Sequence, residues 1–125
     1  MAIGLSGLAL LLRATHRSAE ADSLIRRALA IDEKIYGADH PKVAIRLSVL
    51  TALLYDANRF SEAEPLMRRV LAIDEKSYTP HHPDVARDLN NLAQLLQATN
   101  RPAEAEPLMR RALAIRDKWL GLGSS

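Results

Sequence analysis

The chain has no cysteine, one phenylalanine, one tryptophan and five glycines in 125 residues. Without thiols, disulfide scaffolds and thiol catalysis are excluded, and the composition fits a reducing compartment, so a cytoplasmic setting is expected. Aromatics at 4% leave little to stack nucleobases. An excess of one charge sign is also missing: 17 basic against 15 acidic side chains give +2, so no strong field draws the chain to nucleic acid or to an anionic membrane. Few Gly, Thr and Val beside many Leu, Ala and Ile favour helix over strand. No apolar run reaches the roughly 20 residues of a membrane span. Phosphate-cradling glycine loops, G-x-S-x-G and H-E-x-x-H are all absent, so catalysis has no candidate group and no cofactor is called for.

What the chain does have is repetition. Between Asn58–Lys76 and Asn100–Lys118, 14 of 19 positions are identical, and between His16–Lys34 and Asn58–Lys76, 12 of 19 are. A fixed period of 42 residues marks a stacked-repeat architecture, expected here as one array over 1–125, with repeats at about 1–36, 41–78 and 83–120 and a tail at 121–125. Each repeat reads as two helices, the first at about 1–15, 41–56 and 83–98, the second at about 18–36, 60–78 and 102–120. Leu89, Leu92, Ala93 and Leu96 share one helical face, as do Leu47, Leu50, Thr51 and Leu54; the second helices carry the stripe Ala63, Leu66, Met67, Val70, Leu71, Ile73. Leu50, Met67 and Leu92 are therefore expected inside. The opening Met1 to Leu12 has the greasiness of a signal-peptide core, and export is its alternative reading. No Lys or Arg precedes it, however, and Leu5, Leu8, Leu11 and Leu12 fall in register with Leu47, Leu50, Leu53 and Leu54.

Punctuation agrees with the periodicity. Pro41 and Pro83 stand where a first-turn proline is tolerated, His40 and His82 precede them in the turn, and Ser61 with Glu64 reads as a capping box. Pro65 and Pro107 lie near helix starts, where their cost is expected to be small. Asp22/Arg26, Glu64/Arg68 and Glu106/Arg110 are acid-then-base pairs four apart.

Three clusters invite chemistry. The doublets Arg26-Arg27, Arg68-Arg69 and Arg110-Arg111 would form a basic ridge, but acids four residues before one Arg of each doublet favour a salt-bridged face over a phosphate grip. His81-His82 with Asp84 lacks the two-ligand helical spacing of a metal site. Asp32-Glu33 and Asp74-Glu75 are paired carboxylates at helix tails, expected to face solvent.

Leu89-Asn90-Asn91-Leu92-Ala93, Asn100-Arg101-Pro102-Ala103-Glu104-Ala105-Glu106, Arg111-Ala112-Leu113-Ala114-Ile115 and His82-Pro83-Asp84 together resemble the tetratricopeptide repeat, in the 42-residue form of kinesin light chains. The first repeat departs from the pattern: it lacks the His-Pro pair, and Ser6-Gly7 replaces the Asn-Asn of the third. The resemblance implies an all-α, right-handed superhelical solenoid of three antiparallel helix pairs whose first helices line a concave groove. On the residues themselves, the face opposite the core stripe of the third repeat is polar throughout: Arg87, Asn90, Asn91, Gln94 and Gln97. With Arg13, Ser48, Ala52 and Tyr55 from the other first helices, these form the candidate peptide-binding wall, where amides donate and accept without demanding a sequence. The expected function is a protein-interaction scaffold without catalysis or metal, its partner a protein or peptide. A self-associating module is the alternative, and a nucleic-acid or small-ligand sensor a more distant one. Leu113, Ile115, Trp119 and Leu120 lie on the last second helix with only Gly121 to Ser125 after them, which points to a longer array or to self-association.

Overall fold

The computed structural model describes residues 18–79 and 81–120. These form helices α1 (Ser18–Tyr36), α2 (Pro41–Asp56), α3 (Phe60–Ser77), α4 (Pro83–Ala98) and α5 (Pro102–Leu120), with no strand among the described residues. The five agree with the sequence-based bounds to within one residue; the helix expected at about 1–15, with Arg13, lies outside the described residues. The chain is an all-α repeat array, and it divides into two compact units between Leu66 and Met67, inside α3.

In the first unit α1 packs on α2. Ala21, Ile25, Ala28 and Leu29 of α1 and Val43, Leu47, Leu50 and Leu54 of α2 are buried, each set following the three-to-four spacing of one helical face. In the second unit α4 packs on α5 around Val85, Leu89, Ala112 and Ile115, with Leu71, Ala86 and Leu108 partly buried against that cluster. Leu50, Met67 and Leu92 are all buried, as the paired-helix reading requires.

Local chemistry fixes where the helices start. His40 and His82 are N-caps: each Nδ1 accepts a backbone N–H two residues on, Lys42 at 3.1 Å and Asp84 at 3.0 Å, with proline in the first turn. Tyr36 stacks on the His40 ring at 4.8 Å and Tyr78 on His82 at 4.3 Å, holding the imidazole in its capping orientation. The Ser61–Glu64 capping box does not form. The Ala63 N–H bonds the Arg59 carbonyl at 3.1 Å, so Arg59 is the cap residue and Ser61 already lies in the helix. Pro65 and Pro107 sit inside their helices rather than at the start, and each gives up one backbone bond in the second turn.

The helix ends are equally determinate. After α2, Asn58 takes φ 60°, its N–H bonds the Tyr55 carbonyl at 3.0 Å, and the Arg59 N–H reaches Leu54 at 2.8 Å. After α4, Asn100 takes φ 62° and the same two bonds recur, to Gln97 at 3.1 Å and from Arg101 to Leu96 at 2.7 Å. This is a Schellman ending with asparagine in the left-handed position, which it tolerates better than other side chains because it lacks β-branching and can bond locally.

Candidate binding surfaces

The α4 helix presents two opposite arcs. Val85, Leu89, Leu92, Leu95 and Leu96 are buried on one, while Arg87, Asn90, Asn91, Gln94 and Gln97 are exposed on the other. That places five of the expected wall residues together on one helix face. Ser48, Ala52 and Tyr55 lie on α2, half-buried. The Ser48 hydroxyl is committed to the Ala44 carbonyl at 2.9 Å, and Tyr55 meets Phe60 edge-on with centroids 5.1 Å apart, so Tyr55 offers mainly a fixed apolar surface. Arg87 is drawn toward the carboxyls of Asp74, Asp84 and Asp88 at 3.3–3.6 Å.

A second feature lies between α4 and α5, a groove of about 760 Å³ lined by Ala86, Asn90 and Gln97 on one side and by Met109, Leu113, Arg116, Trp119 and Leu120 on the other. Gln97 Nε2 approaches Met109 Sδ at 3.3 Å across it. Trp119 is held at its rim, donating its indole N–H to the His81 carbonyl and meeting the His82 ring edge-on. Met109, Leu113, Trp119 and Leu120 are all 43–63% exposed. Leu113, Trp119 and Leu120 stand out in the sequence alone, whereas Met109 and Arg116 do not; lining up the 42-residue copies reveals both.

The paired carboxylates do not face solvent as expected: Asp32 and Asp74 are each 4% exposed. Asp32 accepts from Arg46 Nε at 2.6 Å. Asp74 instead faces Asp88, itself 3% exposed, and an Oδ2 of each is buried without a hydrogen-bond partner. Burial first, then the Asp74 carboxyl, pushes Asp88 up to about 8, so near neutral pH it holds the proton that lets one acid donate to the other. No group of three or more metal-ligating side chains occurs among the described residues, and no helix among them is long and apolar enough to cross a membrane. Arginines of the doublets are engaged with acids: Arg26 with Asp22, Arg110 with Glu106, and Arg111 with Glu75.

Helix pairs repeating every 42 residues, with buried inner faces and polar or grooved outer ones, define a helical-repeat protein whose kind offers surfaces for other proteins. The tetratricopeptide repeat family matches residues 1–76 and 62–118, and the chain belongs to it. No curated protein matches the chain. Among solved structures it is similar to a candidate kinesin light chain of Podosopora anserina with nearly identical TPR-like repeats, at 26% identity and TM-score 0.82, covering 92% of this chain and 55% of that one. It shares the fold of BtubC (BKLC) from P. vanneervenii, at 23% identity and TM-score 0.90, covering 99% of this chain and 50% of that one. The chain thus spans about half the length of these structures. Tetratricopeptide repeats generally mediate protein–protein contacts, and proteins of this kind are typically non-catalytic scaffolds.

Proposed function

We propose that the chain is a scaffold that holds a peptide segment of a partner protein against the exposed face of α4. The observation that carries this reading is the exposed arc of Arg87, Asn90, Asn91, Gln94 and Gln97, directly opposite a leucine core that fixes the helix in place. Amides on a rigid helix can satisfy a peptide main chain in either donor or acceptor sense. Arg87, already surrounded by three carboxyls, adds a cation whose position is set. The cysteine-free composition accords with a cytoplasmic setting.

Selection from a displayed peptide library tests this. Peptides enriched on the wild-type chain lose at least about tenfold in affinity on an Asn91→Ala/Gln94→Ala double variant, the scale of two lost hydrogen bonds. Both positions are exposed, so the fold is kept. Equal binding to wild type and variant would remove these residues from the site. The competing reading, a self-associating module, draws on the exposed Met109, Leu113, Trp119 and Leu120. It predicts a concentration-dependent mass in sedimentation.

A further inference from the structure

The acids around Arg87 outnumber their base. Its Nη2 lies 3.3 Å from Asp88 Oδ1 and 3.5 Å from Asp74 Oδ2, and its Nη1 lies 3.6 Å from Asp84 Oδ1. One guanidinium is thus spread over three carboxyls, each farther off than the 2.6 Å of Arg46 on Asp32. Two of the three acids are buried, and Asp74 Oδ2 and Asp88 Oδ2 have no hydrogen-bond partner among the described residues. Asp88 keeps its proton because no second base is at hand. On α4 only Arg87 lowers it, α3 contributes the acid Asp74, and α5 meets the neighbouring Val85 and Leu89 with the apolar Ala112 and Ile115. Glu75 of α3 is already joined to Arg111. His82, 3.9 Å from Asp84, spends its Nδ1 as the acceptor of the cap. The first unit has no such surplus: 42 residues back, Lys42 stands in the place of Asp84 and Arg46 in that of Asp88.

Resting on the reading that a peptide lies against the exposed face of α4, we infer that this peptide carries a basic side chain, lysine or arginine, which binds Asp84 and lets Arg87 turn wholly to the buried pair. Asp84 is the acid of the three that solvent reaches, its side chain 38% exposed where the other two are buried. It stands one turn before Arg87, and Asn91 and Gln94 continue the same stripe at helical spacing. Ala86, Asn90 and Gln97, which line the α4–α5 groove, belong to the stripe beside it. A base seated on Asp84 takes over the outermost of the carboxyls that now share Arg87. The guanidinium then closes on Asp74 and Asp88, and the charge brought in favours the ionised form of Asp88. As the peptide binds, the Asp88 proton leaves to solvent. An acidic ligand does the reverse, pulling Arg87 outward and stripping the buried acids of their one base. The free chain holds Asp88 up at about 8 and the bound chain holds it lower, so affinity for a basic peptide climbs as pH rises toward about 8 and is level above.

Two probes separate the base from the peptide. The first is methylguanidinium chloride at about 100 mM, compared with sodium chloride at the same ionic strength so that screening is equal, while carboxyl-carbon NMR follows the titration of Asp88. Methylguanidinium is expected to lower the Asp88 midpoint by about 0.3 of a pH unit, a twofold preference for the ionised form, and to lose that effect in Asp84→Asn. The second probe is a displayed library of random peptides sorted on the full chain at about pH 8. Retained peptides are expected to carry lysine or arginine, and replacing that base by glutamine costs at least about fivefold in affinity on the wild type and less than about twofold on Asp84→Asn. From about pH 7 to about pH 9 the basic peptide gains about threefold on the wild type and nothing on Asp88→Asn, which has no proton to release. The inference is overturned if the two salts give one midpoint, if the base is removed without loss, or if affinity falls as pH rises. A midpoint that moves while no peptide is retained upholds the cation site at Asp84 and defeats the peptide reading of α4 instead.

Discussion

The contact from α1 to α2 and the contact from α3 to α4 use the same register and fill it with different chemistry. In the first, Asp32 and Arg46 form a buried ion pair at 2.6 Å. In the second, Asp74 and Asp88 are two buried acids, and Arg87 reaches in from a largely exposed position, 3.5 Å from one and 3.3 Å from the other. Helix packing needs the surrounding apolar stripe, and both sites have it. The central polar position is free to vary so long as its charge is balanced, by an opposite side chain in one case and by a retained proton in the other. The second contact therefore depends on pH near neutrality through its acid pair.

The largest effect is expected from breaking the ion pair. Arg46→Ala strands a carboxylate that is 4% exposed, and urea denaturation should show a loss of about 3 kcal/mol. A loss below about 1 kcal/mol would mean that water reaches Asp32, and that the two sites differ less than their geometry implies. The acid pair is sharpened by Asp88→Asn, which imitates the protonated form. Unfolded, the carboxyl titrates near 3.8, and folded it is pushed up to about 8. Between those values the folded chain keeps a proton that the unfolded chain releases, so the wild type loses stability from this group as pH climbs from about 4 to about 8, and levels off above. Asp88→Asn should be more stable by on the order of 2 kcal/mol at pH 8, with the advantage shrinking toward zero at pH 4. Parallel stability–pH curves for the two proteins would show that Asp88 is ionised in the fold.

These two sites also mark where sequence reasoning reached and where it stopped. Helix existence and bounds were legible because the signals are local: Pro41 and Pro83 at the starts, apolar stripes through the middles, and asparagine at the ends. Asp32 and Asp74 were misjudged because a carboxylate near a helix tail normally faces water. Their spacing carried the correction, since Asp32 stands three residues from Leu29 and seven from Ile25, on the buried face. The partner could not be read so directly. That Asp32 meets a base and Asp74 an acid depends on which residues the packing brings together, 14 apart in sequence in both cases. The amide arc on α4 was legible from periodicity alone, whereas the α4–α5 groove needed the three copies to be compared for burial as well as identity.

The caps make a quieter comparison. His40 and His82 accept equivalent bonds, and each is stacked by a tyrosine four residues before it, but only in the second unit does a tryptophan, Trp119, also approach the ring, at 6.4 Å. His40→Ala should cost about 1 kcal/mol, the usual worth of an N-cap, while His40→Asn keeps most of it. His82→Ala should cost the same plus whatever Trp119 gains from the ring, and it should also shift Trp119 fluorescence. An unchanged emission spectrum would show that the indole is held by the His81 carbonyl alone.

The smallest expected effect lies at the left-handed turns. Asn58 and Asn100 hold φ near +60° with matching bond patterns, so substitutions there should behave alike in the two units. Glycine, with no Cβ to crowd the following carbonyl, should gain about 0.5 kcal/mol at each, less than the strain relieved because it also loosens the unfolded chain. Alanine, which keeps the crowding and loses the local bonding of the amide, should cost about 1 kcal/mol. The two turns lead into different helix starts: Phe60, edge-on to Tyr55, begins the helix after Asn58, while Pro102 begins the one after Asn100. Proline restricts the unfolded chain beside Asn100 already, so the entropic loss from glycine should be smaller there, and Asn100→Gly should stabilise slightly more than Asn58→Gly. Urea midpoints in the reverse order would place the difference in the folded aromatic contact instead.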